Sequence, residues 1–301
     1  MREAFSNALV LAAKADPRVL LLTGDHGYAL FDAFRKACPD QYINCGIAEQ
    51  NMVGVAAGLA KSGFLPVVYG LAAFVPIRVL EQIKIDVCYA QLPVVFIGDG
   101  AGLVYSHLGT SHQSTEDIAC TRVLPHLMVL SPADRHEMTA CMDLALRSAE
   151  PVYLRMGKSD RGDVHHGPID LRPGELVPVT KDQKRIVMLA TGSMVKAACD
   201  LAPDFDAEVW SVPSVKPLST QTLTEIARRA EKIITLEEHS TMGGLGAAVT
   251  EAISATCPVP VCRIGIQDRY STTCGTWNHL LQEHGLNHDA VKKQIHEFLR
   301  S

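Results

Sequence analysis

No apolar run in this 301-residue chain approaches the roughly 18 residues that a membrane-spanning helix requires. Basic residues are not in excess either: 28 lysines and arginines against 33 acids leave a net charge of −5. Those two absences remove the case for nucleic acid or a membrane as a partner. No CxxC pair occurs among the nine cysteines, which are scattered from Cys38 to Cys274. An odd, dispersed set in a chain of this length points to reduced thiols and a cytoplasmic protein, not to a disulfide framework or a metal site. The first 17 residues lack a long apolar core ending in a small-residue cleavage site, so they read as an amphipathic helix and not a signal peptide.

What is present is alternation. Short apolar runs at 19–23, 42–43, 65–68, 93–97, 127–130 and 151–155 predict strands, and the segments 1–15, 28–38, 73–89 and 133–149 between them predict helices. Ser114, three residues before Asp117, resembles the start of a capped short helix. This rhythm predicts a parallel sheet covered on both faces and a first domain spanning 1–157. Residues 158–184 are dense in Gly, Pro and charge and read as a linker, with His165 and His166 a solvated pair and not metal ligands. A second unit follows over 185–301, with strands at 186–190, 208–211, 232–236 and 259–263 and helices at 193–202, 219–230, 243–255 and 288–299. The predicted fold is α/β, two doubly wound domains.

The most informative stretch is GIAEQNMVGVAAGLAKSG, residues 46–63. It predicts a helix of apolar and small residues with no charge between Glu49 and Lys61, packed closely on both sides and buried. Glu49 in the first turn suits the helix dipole. A carboxylate at the mouth of a buried helix is also well placed for proton transfer. The loop GDHG at 24–27, with Asp25 and His26, follows an apolar strand, where α/β proteins put functional groups.

Four ordered blocks carry a family resemblance: GIAEQNMVGVAAGLA, PVVYGLAAFVPIRVLEQI (66–83), TSHQSTEDIA (110–119) and EEHSTMGGLGAAVTEAI (237–253). Together they resemble the C-terminal half of a transketolase over essentially the whole chain. The resemblance implies a pyrimidine-binding domain over 1–157, a transketolase C-terminal domain over 185–301, thiamine diphosphate as coenzyme, and transfer of a two-carbon ketol unit between sugars. It also implies a task for Glu49. A carboxylate on the far ring nitrogen of the aminopyrimidine favours its imino tautomer, which then takes the proton from the thiazolium carbon. By the same resemblance Phe74 stacks on the pyrimidine, while Leu71 and Ile77, aliphatic where relatives often carry aromatics, keep the pocket apolar. Asp25 matches an acidic residue near the cofactor, and His112 a residue facing the reacting substrate. Arg155 matches an arginine that contacts a sugar phosphate or hydroxyl, with a salt bridge as its ordinary alternative. His107 and His26 complete the expected substrate contacts, whereas His239 reads as structural.

The chain departs from the family pattern in two places that bear on substrate. Leu108 stands where an Asp usually contacts the donor hydroxyls, and Gly100 where a substrate-contacting His is usual. Loss of a designed acceptor discriminates strongly, so the expected donor is a deoxy, branched or otherwise modified sugar. The triplet 98–100, GDG, mimics a diphosphate and metal motif, but the paired Asn expected about 25–30 residues on is replaced by LPHLMVLSPA. The resemblance therefore implies only the pyrimidine half of the cofactor site here, with no metal ligand. The diphosphate and a divalent metal such as Mg2+ would be held by an N-terminal-type transketolase subunit in an α2β2 heterotetramer, with self-association through the C-terminal domain possible. Competing expectations are a 1-deoxyxylulose-5-phosphate synthase-like enzyme, a 2-oxoacid dehydrogenase beta-type subunit and a non-catalytic assembly subunit.

Overall fold

Five-residue runs such as Val19–Thr23 and Val152–Met156 are apolar almost throughout because both their faces lie under helices, and every residue in them is buried. The structure, a computed structural model, describes residues 1–27, 29–157 and 161–301. Its strands are β1 (Val19–Thr23), β2 (Tyr42–Asn44), β3 (Leu65–Leu71), β4 (Val95–Asp99), β5 (Met128–Leu130), β6 (Val152–Met156), β7 (Val177–Pro178), β8 (Ile186–Ala190), β9 (Ala207–Ser211), β10 (Ser214–Lys216), β11 (Lys232–Ser240) and β12 (Val261–Ile266). They form a seven-stranded sheet, ordered β10-β5-β6-β4-β3-β1-β2, and a five-stranded one, ordered β12-β11-β8-β9-β7. Pairing is parallel except at β10, against β5, and β7, against β9. The larger sheet is sandwiched between two apolar clusters, one led by Phe5, Leu9 and Phe34, its opposite by Met52, Val53 and Ile83. The smaller sheet has its own pair, led by Met194 and Leu201 and by Leu223 and Val249.

The structure differs from the sequence expectation at several points. The segment 73–89 is not one long helix. It makes turns through Pro76, a 3-10 turn at Ile77–Val79, one α turn at Leu80–Gln82 and a π-type turn at Ile83–Cys88. Pro76 lacks an N–H and biases Val75 away from helical angles, so regular helix begins only beyond it. The helix expected over 28–38 becomes a 3-10 turn at Ala29–Phe31 and a short helix at Asp32–Ala37, with Tyr28 outside the described residues. Ser114 does not cap a helix; its hydroxyl donates to the Ala72 carbonyl, and the helix runs Asp117–Arg122. His165 is not solvated. Its imidazole is buried against the Glu137 carboxylate at 2.7 Å. Residues 158–160 of the expected linker lie outside the described residues.

The Glu49 helix also departs from expectation. Met52, Val53, Ala56, Ala57 and Ala60 are buried, but Gly54, Val55 and Gly58 on the other face are exposed, and the preceding Ile47 is 78% exposed. Its small-sided character thus serves one covered face and one open face.

The two sheets are tied by buried polar contacts. β10, from the second half of the chain, completes the first sheet beside β5. Glu238 at the end of β11 accepts from the Leu103 amide at 2.7 Å, the Trp277 indole at 3.0 Å and the Ser193 hydroxyl. The neighbouring His239 is wholly buried; its Nδ1 donates to the Ser240 carbonyl at 2.7 Å and its Nε2 accepts from the Ala119 amide at 3.3 Å. Both nitrogens are committed to the neutral tautomer, so a second proton on Nε2 would face an N–H.

Burial holds His239 well below its ordinary value of 6.5, at about 4. A depressed folded-state value stabilises fully above 6.5, and the stabilisation is lost as the pH falls towards 4. The loss from this residue is on the order of 3 kcal/mol. Denaturant unfolding of wild type and His239→Gln at pH 7 and pH 4.5 checks this: the variant should lose less stability on acidification. Equal losses would mean that His239 is free to take a proton in the folded chain.

Candidate active site

Glu49 is the first residue of the helix Glu49–Lys61, whose N-terminal residue Ala48 offers no side-chain cap. The carboxylate therefore stands where the helix N–H groups leave a partial positive charge. It is only 6% exposed. A buried carboxylate needs a partner, and the structure supplies one from the loop after β3: Arg78 Nη1 lies 3.0 Å from Glu49 Oε1.

The same guanidinium lies over an aromatic face, with its central carbon 4.1 Å from the Phe74 ring centroid. Phe74 is itself half-buried in the turn after β3, its amide donating to the Leu71 carbonyl. The ring meets His112 edge-on, with centroids 5.4 Å apart, and Ser111 Oγ lies 3.0 Å from His112 Nδ1. Four side chains from three segments thus form a contiguous row, Glu49, Arg78, Phe74 and His112. Leu71 and Ile77, both half-buried, bracket Phe74 in the chain.

His26 lies in the loop after β1, near enough to Glu49 to feel its charge. Its Nε2 lies 3.2 Å from the Tyr69 carbonyl. Burial lowers its pKa, opposed by that hydrogen bond and by the charge of Glu49, so the imidazole is neutral at pH 7. Asp25 beside it is exposed.

Two expected site residues are not brought to this row. His107 is exposed and lines a separate cleft of about 560 Å³ between its loop and the helix Trp277–Glu283, with Arg161 and Lys196 opposite. Arg155 is 2% exposed; its Nε donates to Asp117 Oδ2 at 2.8 Å and its Nη2 to the Glu238 carbonyl at 2.8 Å. The salt bridge, the ordinary alternative for this residue, is the contact it makes in this structure. Leu108 is 54% exposed and presents no acceptor.

Gly100 has a structural reason to lack a side chain. Its φ is +73°, and an added Cβ would fall 1.9 Å from the Tyr105 ring. Tyr105 fills that space and donates to Asp99 Oδ2 at 2.9 Å, joined there by the Tyr69 hydroxyl at 2.8 Å and by Arg2. The Asp99 carboxylate of the GDG triplet is therefore satisfied by three donors at the end of β4. Among the described residues, no group of three His, Cys, Asp or Glu is arranged to hold a metal ion.

Sequence reasoning missed Arg78, although a signal was available: it is the sole charge between Gly63 and Glu81. The residues present fit an aminopyrimidine. A buried carboxylate and an aromatic ring flank one flat, nitrogen-rich group, the Arg78 guanidinium.

Residues 1–162 match the transketolase pyrimidine binding domain and residues 175–291 the transketolase C-terminal domain. A subunit of the apulose-4-phosphate transketolase of Phocaeicola vulgatus is 34% identical, over 99% of this chain and 97% of the relative. The 6-deoxy-6-sulfo-D-fructose transketolase subunit SqwH of a Clostridium species is 31% identical, over 99% and 94%. The 1-deoxy-D-xylulose-5-phosphate synthase of Chlorobium luteolum is 35% identical over the whole chain, which spans 48% of that enzyme. Among solved structures, a split gene transketolase described as an inactive beta4 tetramer matches with a TM-score of 0.89 at 34% identity, over 99% of this chain and 97% of that one.

The Arg155–Asp117 pair provides a direct structural test. Arg155→Met leaves Asp117 buried and uncompensated beside Tyr153, which should cost about 3–5 kcal/mol of unfolding free energy without any substrate. Adding Asp117→Asn should recover part of the loss in denaturant titrations. Unchanged stability in the single variant would free Arg155 for a substrate role.

Proposed function

The chain belongs to the transketolase family, and from that premise we propose that it is the beta-type, C-terminal-type subunit of a split transketolase, moving a two-carbon ketol unit between sugar substrates. The observation that carries the proposal is the Arg78 guanidinium held between the buried Glu49 carboxylate and the Phe74 ring, which puts an acid and an aromatic face on either side of one flat group. The family depends on thiamine diphosphate, which when bound supplies a thiazolium carbon able to carry the transferred unit. Glu49 would hold the proton at the pyrimidine ring nitrogen from its buried place at the helix mouth. Phe74 would cover the ring and keep water from it. His112, edge-on to Phe74, would move a proton at a substrate hydroxyl, and His26 would hydrogen-bond nearby. Leu71 and Ile77 would complete the apolar wall, with Asp25 at its rim.

In this reading the site is completed by a second polypeptide, an N-terminal-type transketolase subunit that grips the diphosphate through Mg2+ or another divalent metal. The Phocaeicola and Clostridium relatives are both named as subunits, and the split-gene neighbour is described as inactive in its beta4 form. The open face of the Glu49 helix, with Ile47 and Val55 exposed, gives such a partner an apolar surface to cover. An α2β2 assembly and a cytoplasmic location belong to this reading. For the donor, Leu108 and the Tyr105-filled space at Gly100 favour a sugar lacking or displacing the usual hydroxyl contacts.

Co-expression with an N-terminal-type subunit tests the reading. The two-chain complex should transfer ketol units, the isolated chain should not, and Glu49→Gln should lower turnover of the assembled complex by roughly 10²–10⁴-fold. Little change in that variant would reduce this chain to a scaffold. Carbon dioxide release on addition of pyruvate would instead favour the synthase-like activity of the Chlorobium relative.

A further inference from the structure

We propose that Arg78 is a built-in occupant of the coenzyme slot, a gate whose guanidinium stands in for the aminopyrimidine and must swing outward before the ring can enter. The inference rests on the reading of Glu49 and Phe74 given above. A guanidinium is flat, cationic and edged with N–H donors, and it stacks on aromatic faces. Arg78 uses both properties at once, with one nitrogen 3.0 Å from Glu49 Oε1 and its central carbon 4.1 Å from the Phe74 centroid. A ring stacked on Phe74 with a nitrogen towards Glu49 needs the same volume and the same carboxylate oxygen. Both cannot be present.

The chain is built so that the gate can open. Arg78 is four residues beyond Phe74, at the 3-10 turn Ile77–Val79, so its side chain folds back over the ring from the solvent side. Its side chain remains 45% exposed while that of Glu49 is 7% exposed. An ion pair whose cation is half in solvent is released far more easily than one buried on both sides. While the slot lacks coenzyme, the pair spares Glu49 the cost of an uncompensated buried charge. Coenzyme must displace that internal contact, so the apparent affinity is reduced by the fraction of chains with the gate closed. A partner gripping the diphosphate supplies the additional binding energy that opens it, which couples coenzyme uptake to assembly.

Calorimetric titration of thiamine diphosphate with Mg2+ into the two-chain complex, and into the isolated chain, tests the gate apart from turnover. Arg78→Ala should tighten binding by about three- to thirty-fold, the range expected for losing a half-exposed ion pair and a cation–π contact as competitors. Arg78→Gln should tighten it in the same direction, and is read in the same way if the alanine variant is unstable. In a Glu49→Gln background the gain should shrink, because the internal pair is already broken. Unchanged or weaker binding by the Arg78 variants, in a complex whose wild type binds thiamine diphosphate, overturns the gate and leaves the proposed function standing. A wild-type complex that binds no thiamine diphosphate overturns both.

Discussion

A carboxylate buried at the mouth of a helix is the constraint around which this structure is arranged. Glu49 is removed from water, and the penalty for burying a charge is large unless a cation, a helix terminus or a proton offsets it. The chain provides the first two in Arg78 and the N-terminal turn of the Glu49 helix. In the proposed function a ligand that takes the place of the arginine would provide the third, because a carboxylate facing a ring nitrogen can share a proton with it. The surrounding features follow from that need: an aromatic floor, a neutral His26 whose imidazole adds no competing charge, and a cluster of tyrosines and Arg2 that keeps the neighbouring Asp99 out of the site.

The two sheets are tied because the seam between them is polar, buried and hydrogen-bonded across. Arg155 with the Glu238 carbonyl, the Leu103 amide with the Glu238 carboxylate, and β10 inserted into the first sheet each cross it. The loop bearing His112 is held at its far end by the same seam, since the Ser240 amide donates to the Thr115 carbonyl at 2.7 Å. The second domain therefore contributes to the site by fixing the loop that borders it. The candidate side chains Glu49, Phe74, Arg78 and His112 come from the first.

Much of this was readable from the residues. The apolar runs of β1, β4, β6 and β8 and the unbroken small-sided stretch after Glu49 leave little choice of element or order. What escaped did so for physical reasons. Pro76 interrupts a stretch whose apolar pattern alone looks helical, and the three residues of β10 find their partner strand in the other half of the chain. His165 appears solvated in a polar linker, and only its approach to Glu137 buries it. A single sequence also cannot say which face of a small-sided helix a neighbour will cover, so Val55 and Gly58 were expected inside and are found outside. Arg78 was visible as a lone cation in an apolar run. Its placement between Glu49 and Phe74 depends on the turn that Pro76 imposes.

The central claim is that the slot between Glu49 and Phe74 receives the pyrimidine of the coenzyme. A crystal structure of the two-chain complex with thiamine diphosphate measures this directly. The account predicts the ring stacked on Phe74 with a nitrogen about 2.6–3.2 Å from the Glu49 carboxylate and the Arg78 guanidinium displaced towards solvent. A ring bound elsewhere, with Arg78 still paired to Glu49, would contradict it.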